Sequence, residues 1–122
     1  MSQQATPPRK AAEVFACLKQ CAQDMRTVEY GEVAKKVGLT PRGIGPSLNY
    51  ILDMCRRRGL PWISAIAVSK ASRLPSIIFM PDERVLNWDM DGDPDVQRDV
   101  ESLWRGMVLR VFAYDWSGVV FG

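Results

Sequence analysis

Three cysteines, Cys17, Cys21 and Cys55, and the carboxylates crowded into Asp89, Asp91, Asp93 and Asp95 are the first residues to invite a chemical reading. A thiol becomes a nucleophile when a base or a positive charge draws out the thiolate. Cys55 precedes Arg56, Arg57 and Arg58 and is the thiol best placed for a lowered pKa. The chain has no histidine, which removes the Ser-His-Asp triad, the Cys-His pair and the usual His-containing zinc site. Cys17 and Cys21 lie one helical turn apart, on a face shared with Val14, Leu18 and Met25, where cysteine packs as a small apolar residue. An odd number of thiols is expected to stay reduced. The acidic turn fails as a calcium loop: counting from Asp89, Pro94 and Val100 occupy the places that need a glycine and a carboxylate. No catalytic residue, metal or cofactor is expected, and Cys55 reads as structural, on a stripe with Leu48, Ile51 and Leu52.

The basic residues point elsewhere. Residues 1–80 carry 12 basic and 5 acidic side chains (+7), whereas residues 81–122 carry 4 and 9 (−5). A basic portion is the electrostatic footprint of a phosphate-binding surface, and the acidic portion either occupies the opposite face or meets a basic partner. Lys35, Lys36, Arg42, Arg56, Arg57, Lys70 and Arg73 supply the positive charge. Asn49 adds a side chain able to bond adenine through two hydrogen bonds, and Ser47 and Tyr50 lie beside it in sequence.

Several elements are needed to position these residues. Apolar residues at three- and four-residue steps predict a helix over 10–25 and a second over 32–37, stopped by Gly38. Thr40-Pro41 is a helix-start signal, but Pro46 forbids an uninterrupted helix, so 40–45 reads as a short turn and the next helix starts near Pro46 and ends at Gly59. The β-branched segment 62–69 and the segment 76–80 read as the two strands of a hairpin, with Lys70 and Arg73 at its tip. A short strand is expected over 85–88. Asp93 and Pro94 then open a helix carrying Val96, Val100, Leu103, Trp104, Met107, Val108, Val111 and Phe112. The expected fold is α+β: a winged helix-turn-helix with a β-hairpin wing and an added C-terminal helix. Residues 1–9 read as a flexible N-terminus, 10–80 as the winged helix-turn-helix, and 81–122 as an acidic loop and helix packed on the same domain.

In such a fold the second helix of the pair enters the major groove while its ends and the wing reach phosphates. Arg42 stands at the entry to that helix, Ser47, Asn49 and Tyr50 in its first turns, Arg56 and Arg57 at its far end, and Lys35 and Lys36 on the supporting helix. The segment 28–68 also resembles the DNA-binding part of the alkylguanine DNA alkyltransferases and the alkyltransferase-like proteins. The resemblance rests on Tyr30-Gly31-Glu32-Val33-Ala34, on Pro41-Arg42-Gly43-Ile44-Gly45 and on Leu60-Pro61-Trp62. It implies that Arg42 enters the DNA stack as a target base rotates out, that Tyr30 presses on the backbone, and that Trp62 stands where the reactive cysteine of the alkyltransferases would be. The family continues with histidine and arginine where this chain has Ile63-Ser64, so the reactive-cysteine motif is absent.

The expected function is noncatalytic binding of duplex DNA, as a small regulator or an accessory protein of a phage or mobile element. The alternatives are a winged helix that binds protein, as an inhibitor or adaptor using its acidic C-terminal part, and an alkyltransferase-like binder of DNA lesions. The longest apolar run, 63–68, is strand-sized and the N-terminus is polar, so no membrane association and a cytoplasmic location are expected. The wide apolar arc of the last helix leaves two expectations open: full packing within the chain, or a symmetric homodimer.

Overall fold

Val14, Leu18, Cys21 and Ala22 recur at helical spacing and are buried along α1, Ala11–Gln23. The computed structural model describes residues 8–71, 75, 77–79, 85–87 and 94–121, with side chains for 8–71, 75 and 101–121. After α1 come β1 (Val28–Glu29), α2 (Tyr30–Val37), a 3₁₀ turn (Arg42–Ile44) and α3 (Gly45–Arg58). A second 3₁₀ turn (Ile63–Ile66) follows, then β2 (Ala67–Val68), β3 (Ile77–Phe79), β4 (Val85–Asn87) and α4 (Pro94–Ala113). The architecture is α+β.

Three of these helices close in the same way. The amide of Leu39 donates to Ala34 O after α2, Leu60 to Cys55 O after α3, and Arg26 to Cys21 O after α1. Such a closure needs one residue in the left-handed region. Gly38 (φ 78) and Gly59 (φ 67) supply it for α2 and α3, but α1 uses Met25 (φ 56), a residue with a Cβ to accommodate. Glu29 and Glu32 form a reciprocal capping box that fixes the start of α2. That helix begins two residues earlier than the apolar spacing predicts, because the capping box sits ahead of the first buried position.

The expected hairpin of 62–69 with 76–80 is not formed. Ile63 and Ile66, three residues apart, are both fully buried. A strand would send them to opposite faces, whereas a 3₁₀ turn stacks them on one. Only Ala67–Val68 is extended, and it pairs in parallel with β1, Val28 opposite Ala67 and Glu29 opposite Val68. The hairpin lies later, where β3 pairs antiparallel with β4 and Ile78 stands opposite Leu86. The expected strand over 85–88 is present as β4. The expected N-cap Asp93 and the acidic turn before it lie outside the described residues.

The core gathers α1, α2, α3 and the second 3₁₀ turn, and α4 packs on that turn and on α1 through Met107, Val108 and Val111. The chain after α4 is part of this core. Trp116 is 1% exposed, its indole Nε1 donates to Val111 O at 2.8 Å, and its ring meets Phe15 edge to face. Lys19 Nζ and Arg58 Nη1 donate to the carbonyls of Val119 and Val120, fixing the tail across α1 and α3. Among the described residues no helix is long and apolar enough to cross a membrane.

Candidate nucleic-acid interface

The helix pair is built as its sequence predicts. Thr40 Oγ1 accepts a hydrogen bond from the Gly43 amide at 3.0 Å, so Thr40 caps the 3₁₀ turn, and Pro46 falls in the first turn of α3, where its missing N–H costs nothing. Pro41, Ile44 and Gly45 all keep right-handed helical backbone angles, so the turn feeds into α3 without a reversal. Arg42 and Asn49, seven residues apart and therefore on one side of this helical run, are both exposed.

Asn49 also borders a cleft of about 290 Å³ between the start of α2, the first half of α3 and α4. Tyr30, Leu48, Trp62 and Trp104 form its walls, and Pro41, next to Arg42, stands at its edge. The walls are tied together by polar bonds: Ser64 Oγ donates to Leu48 O at 2.9 Å and Trp104 Nε1 to Ala65 O at 2.8 Å. The volume is at the small end of the range for ligand sites, and the lining is largely apolar with a few polar groups, as such sites are. Trp62 and Met107 separate this cleft from a second one of about 370 Å³ that runs toward Arg110 and Tyr114.

The remaining predicted site residues are dispersed. Lys70 is exposed after β2, and the parallel register of β1 and β2 brings it out at the same end as Tyr30. Lys35 is exposed on α2. Lys36 is exposed too, but its charge reaches Cys21, which places it on the α1 side of α2. Arg57 pairs with Asp53 one turn back at 2.9 Å, Arg58 is bound to the C-terminal tail, and exposed Arg56 stands toward the far end of α3, about 15 Å from its first turn. Arg73 lies outside the described residues.

Two assignments are corrected. Ser47 is 1% exposed, so it cannot reach a groove; it falls between the buried positions Ile44 and Ile51 on the inner face of the helix. Its hydroxyl has no hydrogen-bond partner among the described residues. Tyr50 is half-buried against the C-terminal tail, with its ring 5.7 Å from that of Phe121. The nine residues that follow α4 in the sequence give no periodic signal, so the sequence hides the partner that turns Tyr50 inward.

Sequence reasoning missed Trp104 and Ser64 as parts of this site. Trp104 reads as one more apolar position of α4, and only the half-burial of its ring and the bond from its N–H reveal a wall. Tyr30, Asn49 and Trp62 carry advance signals, Asn49 through its side chain and Tyr30 and Trp62 through the Tyr30-Gly31-Glu32 and Pro61-Trp62 segments.

The thiols behave as core. Burial pushes the Cys55 thiol above its ordinary value, against smaller opposing influences from the Ile63 backbone and the Arg58 charge. Burial also raises Cys21, with Arg26 acting against it. Neither is poised as a nucleophile, because the neutral thiol is favoured in each. Among the described residues no three Cys, Asp or Glu side chains are grouped as metal ligands. No protein-family model matches the chain, and no curated protein or solved structure matches it.

Proposed function

We propose that this chain is a noncatalytic winged-helix protein that binds duplex DNA, as a small regulator or an accessory protein of a phage or mobile element. Arg42 and Asn49 carry the reading: they project from one side of the helix that follows the α2 turn, with Asn49 suited to an adenine edge and Arg42 to guanine or phosphate. Lys35 on α2 and Lys70 after β2 are exposed as well and add positive charge, and the β3–β4 hairpin would take the part of the wing. The pairing of Arg57 with Asp53 and the tie of Arg58 to the tail lower the weight of the arginine run. An electrophoretic shift with random duplex and single strands, at low and at physiological salt, tests the reading. A duplex shift that fades with salt is expected; no affinity for any duplex at low salt would remove it in favour of a protein-binding adaptor.

The cleft favours a second reading, a DNA lesion binder. Tyr30 and Trp62, two of the residues on which the alkyltransferase-like resemblance rests, border one apolar cleft that is also lined by Pro41, the sequence neighbour of Arg42. A base displaced by Arg42 would stack between aromatic walls there. A duplex bearing an alkylated guanine should then bind more tightly than its unmodified twin, and Trp62→Ala should abolish the difference.

A further inference from the structure

The side of α4 turned away from the core is exposed and carries its own complement. Leu103 is 43% and Leu109 65% exposed, and they stand three residues before and three after Gly106, on opposite flanks of the exposed face. Gly106 is exposed, and a side chain there would meet nothing within 4 Å. Charge is also uneven along the helix: Asp95, Arg98, Asp99, Glu101 and Arg105 come before Gly106 (net −1), while Arg110 is the single charged residue of the helix after it (+1). Arg105 is paired with Glu101 along the helix, and Arg110 is exposed.

We infer that α4 is a homodimer interface in which two copies of the helix cross antiparallel, with a two-fold axis at Gly106. A two-fold contact requires a self-complementary patch, and this one is self-complementary about a single residue. Antiparallel crossing places the two glycines together, so the backbones approach closely. Leu103 and Leu109 of each copy close over that crossing from both flanks. Arg110 of each helix lies along the net acidic segment of the other, with position 110 of one copy next to position 99 of the second on the same side of the seam. The two helix dipoles also oppose each other favourably. A parallel crossing would set like charges side by side. The helix is about 30 Å long and offers less than a standard-sized interface, so the dimer forms with a dissociation constant on the order of micromolar or weaker.

This inference stands independently of DNA binding and is tested without DNA, by sedimentation of the full chain at low salt from about 1 to several hundred micromolar. The wild type is expected to pass from a 13.7 kDa species to twice that mass. Leu109→Asp should leave it monomeric over the whole range with an unchanged circular dichroism spectrum. Arg110→Asp should weaken dimerisation at least about tenfold, and adding Asp99→Arg to the same chain should recover most of the loss. Mild oxidation should join Gly106→Cys chains into disulfide dimers but leave Ala113→Cys chains, which lie some 21 Å apart in this crossing, unjoined. A wild type that stays monomeric throughout overturns the proposal, as does a dimer indifferent to Leu109→Asp and to the charge exchange.

Discussion

Ser47→Ala is expected to stabilise the protein while leaving DNA affinity unchanged. The residue sits on the inner face of α3 at 1% exposure, and no described group satisfies its hydroxyl. Burying an unpaired hydroxyl costs about 1–3 kcal/mol, of which alanine recovers a part. Alanine is also the better helix former by up to about 0.5 kcal/mol. Against these gains stands the loss of one oxygen's packing, a small cavity term. The net expectation is a gain of about 1 kcal/mol, or roughly 3–5 °C in Tm for a chain of this size. Thermal and urea denaturation measure the stability change, and anisotropy of a labelled duplex measures the affinity. A loss of more than about 1 kcal/mol would show that the hydroxyl is satisfied and that the burial argument is wrong. A tenfold loss of affinity at unchanged stability would restore Ser47 to the DNA-contacting set.

Further outcomes follow from the helix ends, the tail and the buried thiol. Met25→Gly should add up to about 1 kcal/mol by relieving the left-handed residue that closes α1, read by urea denaturation. Trp116→Ala should cost about 3–5 kcal/mol and free the tail, whereas Trp116→Phe should lose mainly the bond to Val111, about 1 kcal/mol. Cys55 should resist alkylation in the native state far longer than half-buried Cys17, followed by mass spectrometry. Its raised pKa favours the thiol in the folded chain, so its contribution to stability is complete below the unfolded value, ~8.5, and is lost as pH rises from there through the folded value.

Local chemistry made much of the fold legible. Gly38 and Gly59 mark helix ends because only a residue free to adopt positive φ closes them cheaply, and Thr40-Pro41 with Pro46 divides the 3₁₀ turn from α3 because proline lacks an N–H. Buried periodicity misled at 62–69. Ile63 and Ile66 suit a strand by residue type, but their three-residue spacing suits a 3₁₀ turn, and the tertiary requirement to bury both decided the outcome. The site was legible only at positions set by the helix itself. Arg42 and Asn49 follow from seven-residue spacing, while Ser47 and Tyr50 depend on which side of α3 faces the core and tail. That choice is made by residues up to 71 positions away, as Phe121 against Tyr50 shows. The cleft was invisible for the same reason, because Trp104 reaches it from the far end of the chain.

DNA binding through the Arg42 and Asn49 side of α3 is tested most directly by titrating a labelled duplex with the wild type, Arg42→Ala and Arg57→Ala over a series of salt concentrations. With three to five phosphate contacts the wild type should lose roughly 40- to 500-fold in affinity between 50 and 200 mM salt. Arg42→Ala should weaken binding at least about tenfold at low salt, while Arg57→Ala, already paired with Asp53, should change it less than about threefold. Equal losses from the two substitutions, or affinity that ignores both salt and Arg42, would contradict the account.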